Sequence, residues 1–505
     1  MEMKSIFRVY RAGEWHIVGY SPGDTILEAI RRAGIYVTSP CGGNGTCGKC
    51  IIRVSDKECL ACVTLAQDNN GQEVHITPEG NLEAIVGLSM YENICDIECD
   101  RECDGVINRY GIAIDIGTTT LAFQLLDMET GCVTTSLSSG NSQRAFGADV
   151  ITRIAAATRG KLALLNQYIL EDIKKGIGRL LAQGGVESGQ IAFVALAGNT
   201  TMLHLLQNFS CDTLGVYPFA PVSLDMTRVD FDEFFGLEGF NCPMIILPCV
   251  SAFVGADVLA GVLHCGWGSN NICPEPNLLI DLGTNGEMVL FSHEQVLTAS
   301  TAAGPVFEGG NISMGMGSQP GAIAQVSYSP ENCVFSYKTL DNMPPVGICG
   351  TGVVDIAAEL VRYGLADCSG QMSAESVAIA PGITFTQRDF REVQLAKSAI
   401  RSGIEILLEE AGMGYDMVGK VFLAGGFGYK ISAANAAVLG IIPPKLKNKV
   451  RALGNTALGG VAQVMLSRAR EADIQELAAI AKEILLSGHP RFNTLFMTHM
   501  SMEME

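Results

Sequence analysis

The stretch "GIAIDIGTTTLAFQLLD", residues 111–127, decides the fold of this chain. An apolar strand ends near Asp115, Gly117 and three threonines form a turn, and a second apolar strand follows. Glycine in such a turn lets backbone N–H groups approach a phosphate closely, and an aspartate at the strand end can hold hydrated Mg²⁺. A single copy of the pattern is equally compatible with a plain hairpin.

The pattern occurs a second time in the chain. Residues 277–291, "NLLIDLGTNGEMVLF", repeat it with Asp281 at the strand end and Gly283 in the turn. A duplicated unit favours two phosphate-binding turns, one in each of two related halves. From Arg109 onward, strand-like runs alternate with helical patterns, and this alternation predicts α/β layers.

A third stretch also combines an apolar strand with a glycine-rich turn. In "VFLAGGFGYKI", residues 421–431, an apolar strand ends at Gly425 and Gly426, whose backbone can lie against an adenosine. In this order the three elements resemble the nucleotide site of the superfamily that unites acetate and sugar kinases, heat-shock chaperone ATPases and actin. The resemblance implies two ribonuclease-H-like lobes that close over ATP. Residues 347–360 and 453–466 look like its two connecting helices.

The N-terminal segment carries a cysteine loop, "SPCGGNGTCGKC", residues 39–50. Its C-x5-C-x2-C spacing, with Cys62 further on, provides four thiolates, the number that a 2Fe-2S cluster takes. A structural Zn²⁺ site is the alternative, and Cys59 competes with Cys62 as the fourth ligand. Two β-rich runs, a helix and further short strands surround the loop, which is the order of a β-grasp ferredoxin.

A connector follows the ferredoxin-like segment and contains Cys95, Cys99 and Cys103, each four residues from the next. On a helix they form a drifting stripe that could seed a second iron-sulfur cluster, with Cys59 as a further ligand; unligated linker cysteines are the alternative. We therefore expect a ferredoxin-like domain over 1–80, a linker over 81–107, a first ATPase lobe over 108–275 and a second lobe over 276–505. The last helices are expected to return to the first lobe.

Composition excludes several classes of protein. The 505 residues include 34 basic and 53 acidic side chains, for a net charge of -19, which argues against a nucleic-acid partner. The sequence has no signal peptide at its start and no uninterrupted apolar run of 18 residues, so we expect a cytoplasmic protein that does not bind a membrane. The clustering of many of its 17 cysteines near the N-terminus favours metal ligation in a reducing compartment.

Further stretches make the resemblance specific to one family within this superfamily. "ALAGNTTMLHLL", "PCVSAFVGADVLAG", "TAAGPVFEGGNISMGMGSQPGAI" and "AGGFG" resemble the ATPase domain of the reductive activators of corrinoid-dependent enzymes, which also carry an iron-sulfur domain. The resemblance implies that one electron returns Co(II) to Co(I) in a corrinoid protein, assisted by ATP because the cobalt couple lies below the ~-400 mV of plant-type 2Fe-2S clusters. It also implies an electron-donating reductase or ferredoxin as a second partner, and a homodimer is compatible with it.

The same resemblance implies roles for individual residues. Asp115 and Asp281 would orient Mg²⁺ or water, and Asp257 would orient the attacking water, with a charge at a helix N-terminus as the alternative for Asp257. Asn199 is equally explained as a helix cap. The residues expected to bind the nucleotide are Gly117, Thr118, Thr119, Thr120, Asn199, Gly283, Thr284, Asn285, Gly286, Glu287, Gly350, Gly425, Gly426 and Phe427. Those expected to bind the 2Fe-2S cluster are Cys41, Cys47, Cys50 and Cys62.

Three other functions are compatible with parts of the sequence. A small-molecule kinase with a fused ferredoxin domain would use Asp257 as its base, but would not need a redox domain. An ATP-dependent electron donor of a 2-hydroxyacyl-CoA dehydratase would share the lobes, yet Cys349 lacks the paired cysteine expected for a cluster between subunits. A redox sensor would use its cluster only to report to the ATPase.

Overall fold

The structure of the chain is a computed structural model that describes residues 5–11, 14–35, 37, 43, 45, 50–55, 57–76, 99–101, 109–268, 275–425 and 431–502. Three hydrophobic cores lie in these ranges, one in the N-terminal unit and one in each of two larger lobes. None of the helices in these ranges has the length and apolar character needed to span a bilayer.

The N-terminal unit is a five-stranded sheet covered by one helix. Its elements are β1 (Ile6–Arg11), β2 (Glu14–Gly19), α1 (Ile26–Arg32), β3 (Ile51–Val54), β4 (Lys57–Leu60) and β5 (Glu73–His75). The strand order is β2-β1-β5-β3-β4, with β1 and β5 parallel and the other pairs antiparallel. This is the expected ferredoxin-like arrangement.

Helix α1 begins at a capping box. The Thr25 hydroxyl accepts a hydrogen bond from the Glu28 N–H, and the Glu28 carboxylate accepts one from the Thr25 N–H. Leu27 and Ile30 on its apolar face are buried against the sheet. The cap and the apolar stripe together place the C-terminal end of α1 at the surface that faces the first lobe.

The first lobe is a six-stranded sheet with helices around it, and its strand order is β10-β11-β9-β6-β7-β8. Its elements are β6 (Tyr110–Ile116), β7 (Thr120–Asp127), β8 (Val133–Gly140), α2 (Val150–Ala156), α3 (Leu162–Gly184), β9 (Ile191–Gly198), α4 (Thr200–Leu206), β10 (Thr227–Asp230), α5 (Phe231–Phe235), β11 (Pro243–Ile246) and α6 (Ala256–His264).

The second lobe has a six-stranded sheet of order β21-β20-β12-β13-β14-β22. Its elements begin with β12 (Asn277–Leu282), β13 (Gly286–Phe291), β14 (Val296–Thr301), β15 (Ala322–Ser329), β16 (Val334–Thr339), β17 (Gly347–Ile348), α7 (Gly350–Arg362), β18 (Ser376–Ala380) and β19 (Ile383–Thr386). They continue with α8 (Gln387–Glu410), β20 (Val421–Ala424), α9 (Ala433–Val438), β21 (Val450–Ala452), α10 (Thr456–Leu466), α11 (Arg468–Ile480), β22 (Ala481–Glu483) and α12 (Phe492–Thr498).

The two large sheets repeat one topology. In the first lobe β6, β7 and β8 form an antiparallel meander, and β9 lies parallel to β6 on its other side. In the second lobe β12, β13 and β14 form the same meander, and β20 lies parallel to β12. The repeat of sequence is therefore a repeat of structure, and the two-lobed ATPase fold expected from the sequence is confirmed.

Helices α10 and α11 follow the second-lobe strands in sequence but pack in the first-lobe core, where Leu458, Val461 and Leu477 are buried. Close packing of α10 on α6 depends on a glycine, since a β-carbon at Gly460 would lie 1.9 Å from the carbonyl oxygen of Ala260. Helix α12 instead packs on α8 of the second lobe. The last segments of the chain thus join both lobes.

Candidate functional site

The first phosphate-binding turn lies where β6 ends. Asp115 is the penultimate residue of β6, and the Gly117 N–H donates to the Thr120 carbonyl at 3.0 Å, which closes the turn. A β-carbon at Gly117 would lie 2.6 Å from that same oxygen. Glycine is therefore required by the close approach of the two backbone segments.

The second turn has the same construction. Asp281 on β12 lies between Glu287 on β13 and Ala424 on β20, and the Gly283 N–H donates to the Asn285 carbonyl at 3.0 Å. Because the two sheets share one topology, both aspartates stand at the ends of the equivalent central strands of the two sheets.

The two turns meet across the gap between the lobes. The hydroxyl oxygens of Thr119 and Thr284 are 3.5 Å apart. Both hydroxyls donate to the carboxylate of Glu308, at 3.4 Å from Thr119 and 3.0 Å from Thr284. Glu308 ends a short 3-10 helix, Pro305–Glu308, and was not predicted as a site residue. Glu308 lies in the stretch "TAAGPVFEGGNISMGMGSQPGAI" that resembles the family, but nothing local to that stretch indicates a contact with the phosphate-binding turns.

Asn455 is a second residue that the sequence prediction missed. Its side-chain oxygen accepts from the Leu458 N–H at 2.8 Å and so caps α10. Its amide donates to Asp115 Oδ2 at 2.6 Å. An asparagine before an apolar helical run is a recognisable cap, but its contact with Asp115 joins residues far apart in the sequence.

The cleft brings together most of the residues predicted for nucleotide binding and catalysis, and the part lined by described residues has a volume of about 140 Å³. The predicted residues that line it are Asp115, Gly117, Thr118, Thr119, Thr120, Asn199, Asp257, Asp281, Gly283, Thr284, Asn285, Glu287 and Gly425.

Some predicted residues lie elsewhere. A β-carbon at Gly286 would lie 2.8 Å from the Ile400 side chain, so this glycine packs against α8. A β-carbon at Gly350 would lie 1.7 Å from the Phe307 carbonyl oxygen, so Gly350 admits a close backbone contact at the start of α7. Neither lines the cleft. Gly426 and Phe427 are outside the described residues.

Gly425 follows β20 and has a left-handed backbone, with φ of +105°. A β-carbon there would lie 2.6 Å from the Leu282 carbonyl oxygen and 2.8 Å from Asp281 Oδ1. Both the conformation and the space therefore require glycine beside the second carboxylate.

Two residues with competing interpretations have the structural role and also line the cleft. Asn199 caps α4 by accepting from the Met202 N–H at 2.9 Å, and its amide donates to the Thr118 hydroxyl at 2.9 Å. Asp257 lies in the first turn of α6, as a charge near a helix N-terminus would, and its side chain also lines the cleft. Each residue is structural and faces the site.

Burial and mutual repulsion perturb the carboxylates of the cleft. Burial raises the pKa of Asp115 to about 6, against a smaller lowering by the hydrogen bond from Asn455. Burial and the charge of Asp115 raise the pKa of Asp281 to about 7, with a further contribution from Glu308. Burial, followed by the charges of Asp115 and Asp281, raises the pKa of Asp257 to about 8. The pKa values of Glu287 and Glu308 are also raised by burial.

Part of the cluster-binding segment is described. Cys50 and Cys62 are buried in the core of the N-terminal unit, and the Ala61 N–H donates to the Cys50 carbonyl at 2.8 Å, which brings the two segments together. Cys59 lies in β4 opposite Ile52 and is half-buried. Cys41 and Cys47 lie outside the described residues.

The connector is described only at residues 99–101. Cys99 packs against the first-lobe core. The Asp100 N–H donates to the Leu466 carbonyl at 3.2 Å, and its carboxylate accepts from the Arg468 N–H at 2.7 Å. Cys95 and Cys103 lie outside the described residues, so a second cluster stays a prediction.

Comparison with known proteins gives matches over almost all of the chain. Residues 275–505 match the family model described as the C-terminal domain of RACo, the ASKHA domain. Residues 110–269 match the RACo middle region, and residues 9–73 match the 2Fe-2S iron-sulfur cluster binding domain.

Individual relatives agree with these matches. The chain is 32% identical to the corrinoid activation enzyme RamQ of Eubacterium limosum, over 95% of this chain and 96% of that protein. It is 29% identical to a reductase of the Co(II) methylated amine-specific corrinoid protein of Methanosarcina barkeri, over 78% of this chain and 77% of that protein. A solved structure of a reductive activator for a corrinoid, iron-sulfur protein superposes with a TM-score of 0.72 at 27% identity, covering 98% of each chain.

Proposed function

Because the chain belongs to the RACo family, as its motifs led us to expect, we propose that it is an ATP-hydrolysing reductase that activates a corrinoid protein. One electron passes from a 2Fe-2S cluster in the N-terminal unit to the cobalt, which returns from Co(II) to Co(I). The observation that carries this proposal is that one chain holds a ferredoxin unit and, in contact with it, a cleft between two phosphate-binding turns.

The cleft is suited to the phosphate end of a nucleotide. The part lined by described residues has a volume of about 140 Å³, which is below the ~300 Å³ of a small-molecule pocket, and the turn that follows Gly425 lies outside the described residues. The hydroxyls of Thr118, Thr119 and Thr284 and the amide of Asn285 line the cleft. We assign the adenosine to the side of Gly425, where the late glycine turn begins. A bound ATP would supply the free energy that drives the conformational change.

The charges of the cleft support a divalent cation as cofactor. Among its described lining residues there is no lysine or arginine, whereas five carboxylates are present: Asp115, Asp257, Asp281, Glu287 and Glu308. A polyphosphate would be repelled by these groups unless a cation lay between them. Mg²⁺ suits such a cleft, since it keeps several waters and binds through one or two carboxylates and phosphates. We assign that role to Asp115 and Asp281.

Asp257 is suited to orient the attacking water. With its pKa raised to about 8, it is mostly protonated at neutral pH while no cation is near. A divalent cation in the cleft favours the ionised form because opposite charges attract. The ionised carboxylate can then accept a hydrogen bond from water.

The cysteines of the N-terminal unit hold the redox centre in this proposal. Cys50 and Cys62 are buried side by side in the described core, and Cys41 and Cys47 complete the set of four thiolates. A bound 2Fe-2S cluster supplies one-electron chemistry. An external reductase or ferredoxin would reload it after each transfer.

The test is the reduction of a purified corrinoid protein, followed by the loss of Co(II) absorbance with and without ATP. The wild type should form Co(I) only with ATP. Asp281→Ala should leave the visible spectrum and chemical reduction of the cluster unchanged, because the cluster ligands lie within the N-terminal unit. Co(I) formation should fall at least about ten-fold, since a carboxylate that orients the cation is lost.

An exposed carboxylate outside the cleft provides the matched control, and Asp225→Ala should behave as wild type. If Asp281→Ala reduces the corrinoid as fast as wild type with ATP, the nucleotide site does not drive the transfer and the proposal is wrong. If the protein phosphorylated a sugar or an acid faster than it hydrolysed ATP, it would instead be a kinase.

A further inference from the structure

Arg31 lies at the junction between the ferredoxin unit and the first lobe. It belongs to the last turn of α1 and is only 9% exposed. Its guanidinium carbon lies 5.4 Å from the centre of the Phe146 ring, and its backbone carbonyl accepts a hydrogen bond from the Tyr168 hydroxyl at 2.6 Å. Phe146 and Tyr168 contact each other edge to face at 5.4 Å. One residue thus joins the two units through both its side chain and its backbone.

The other side of Arg31 faces the cysteine loop. Gly43, between Cys41 and Cys47, has a φ of +100°, and a β-carbon there would lie 3.3 Å from Arg31 Nη1 and 3.1 Å from Leu27 Cδ2. The guanidinium therefore packs against the backbone of Gly43, which lies in sequence between two of the proposed cluster ligands. Reduction makes a cluster more negative, so a nearby positive charge stabilises the reduced form and raises the reduction potential.

Phe146 is connected to the first phosphate-binding turn. It caps the 3-10 helix Ser142–Ala145, which begins after the buried Asn141. The Asn141 N–H donates to the Thr119 carbonyl at 2.9 Å, and its side-chain amide donates to the Gly117 carbonyl at 3.0 Å. The segment that contacts Arg31 therefore starts on the turn proposed to hold the phosphates.

A buried arginine also connects residues 141–147 to the first phosphate-binding turn through hydrogen bonds. Arg153 donates to the Thr118 carbonyl and, at 2.9 Å, to the Gly147 carbonyl, which follows Phe146 directly. Its guanidinium also reaches the Gln143 side chain at 3.4 Å. The turn and residues 141–147 are held at several points, so a displacement of the turn displaces Phe146.

The junction leaves space for such a displacement. A cleft of about 810 Å³ lies beside it, lined by the end of α1 on one side and by α2 and α3 on the other. Among the described residues, the contact through Arg31 therefore borders open space between the ferredoxin unit and the first lobe.

We propose that Arg31 is a positioning residue that makes the reduction potential of the cluster depend on the nucleotide. Nucleotide on the first turn shifts residues 141–147, Phe146 moves against Arg31, and the distance between the guanidinium and the cysteine loop changes. This inference rests on the proposed function, because it assumes that ATP binds this cleft and that the N-terminal unit holds a 2Fe-2S cluster.

The experiment is a redox titration of the anaerobically reconstituted full chain, monitored by visible absorbance, with and without Mg²⁺ and a non-hydrolysable ATP analogue. The wild-type potential should differ between the two conditions. Arg31→Gln should have a more negative potential and no nucleotide-dependent shift, and Arg31→Lys should restore most of the wild-type potential. Phe146→Leu should lose the shift although it lies outside the ferredoxin unit.

The neighbouring arginine provides the matched control. Arg32 is on the same helix, but its side chain is 54% exposed and pairs with Asp24 at 3.0 Å. Arg32→Gln removes the same charge and should keep both the potential and the shift. If Arg31→Gln retains the wild-type potential and shift, or Arg32→Gln changes them equally, the proposal is wrong. Should Arg31→Gln fail to hold a cluster, Phe146→Leu decides, and an unchanged shift in that variant refutes the proposal.

Failure of this inference can be told from failure of the proposed function. Binding of the ATP analogue is measured separately by calorimetry, and corrinoid reduction by the loss of Co(II) absorbance. If wild type binds the analogue and reduces the corrinoid with ATP while its cluster potential is constant, only the role of Arg31 is refuted. If the analogue does not bind at all, the proposed function itself fails.

Discussion

Asn455 joins the nucleotide cleft to helix α10, and two substitutions there should separate its two hydrogen bonds. Asn455→Asp keeps an oxygen that can accept from the Leu458 N–H, but it loses the amide that donates to Asp115 at 2.6 Å. Asn455→Ala loses both hydrogen bonds. We expect both variants to weaken the binding of Mg²⁺-nucleotide at pH 7, and only the alanine variant to lose stability.

The magnitudes follow from these contacts. A hydrogen bond to a charged group contributes ~1.5–3 kcal/mol, so without it the ionised form of Asp115 becomes less favourable by that amount. At ~1.4 kcal/mol per factor of ten, the ionisation constant of Asp115 falls roughly 10- to 100-fold. Its pKa is already raised to about 6, so at pH 7 the carboxylate changes from mostly ionised to between about half and about nine-tenths protonated. The loss of the cap in Asn455→Ala should cost about 1 kcal/mol of folding free energy.

The assay is calorimetric titration with Mg²⁺ and a non-hydrolysable ATP analogue between pH 6 and 9, combined with thermal unfolding. Affinity at pH 7 should fall about two- to ten-fold in both variants, and in Asn455→Ala the difference from wild type should shrink as the pH rises. Ser432→Ala, which removes the cap of α9 away from the cleft, should lower stability and leave affinity unchanged. An Asn455→Asp variant with wild-type affinity and pH dependence would refute the role assigned to Asp115.

Two further predictions concern the cluster ligands and the acidic cleft. Cys62→Ser should abolish the visible spectrum of the 2Fe-2S cluster while Cys59→Ser retains it, and the reverse result would reassign the fourth ligand. Asp257 has a pKa raised from 3.8 to about 8, so the folded apo protein holds this proton more tightly than the unfolded chain, and the contribution of Asp257 to stability declines as the pH rises from ~4 to above 8. The melting temperature of Asp257→Asn minus that of wild type should therefore be higher at pH 8.5 than at pH 5. An equal difference at the two pH values would contradict the raised pKa.

The fold could be predicted because its main signals are local. Each phosphate turn needs an apolar strand, an aspartate and a glycine within a few residues. The repeat of this pattern in the sequence corresponds to two equivalent strand pairs in the structure. The capping box at Thr25 likewise needs only Glu28. Such signals survive in one sequence because the residues that interact are neighbours in the chain.

The site could be predicted only in part, and the missed residues have a common cause. Glu308 enters the cleft through a contact with Thr119 of the other lobe, and Asn455 through a contact with Asp115, which lies 340 residues away in sequence. Gly350 is predicted to bind the nucleotide and also lies in a predicted connecting helix, and the structure shows the close backbone contact with Phe307 that such a helix needs. A local sequence pattern indicates the backbone conformation of its own segment. It does not indicate which distant side chain contacts that segment.

Helix α10 gives the cleft a second connection toward the ferredoxin unit. It begins at Asn455, which bonds Asp115, and its eleven residues extend ~17 Å to Leu466, whose carbonyl accepts from the Asp100 N–H in the connector. Gly460 holds α10 so close to α6 that the two helices must move together. The connector at Asp100 and the turn at Asp115 are therefore joined through one helix. Because the ferredoxin unit and the ATPase lobes belong to one chain, the two units meet at high effective concentration, whereas two separate proteins would have to find each other before each transfer.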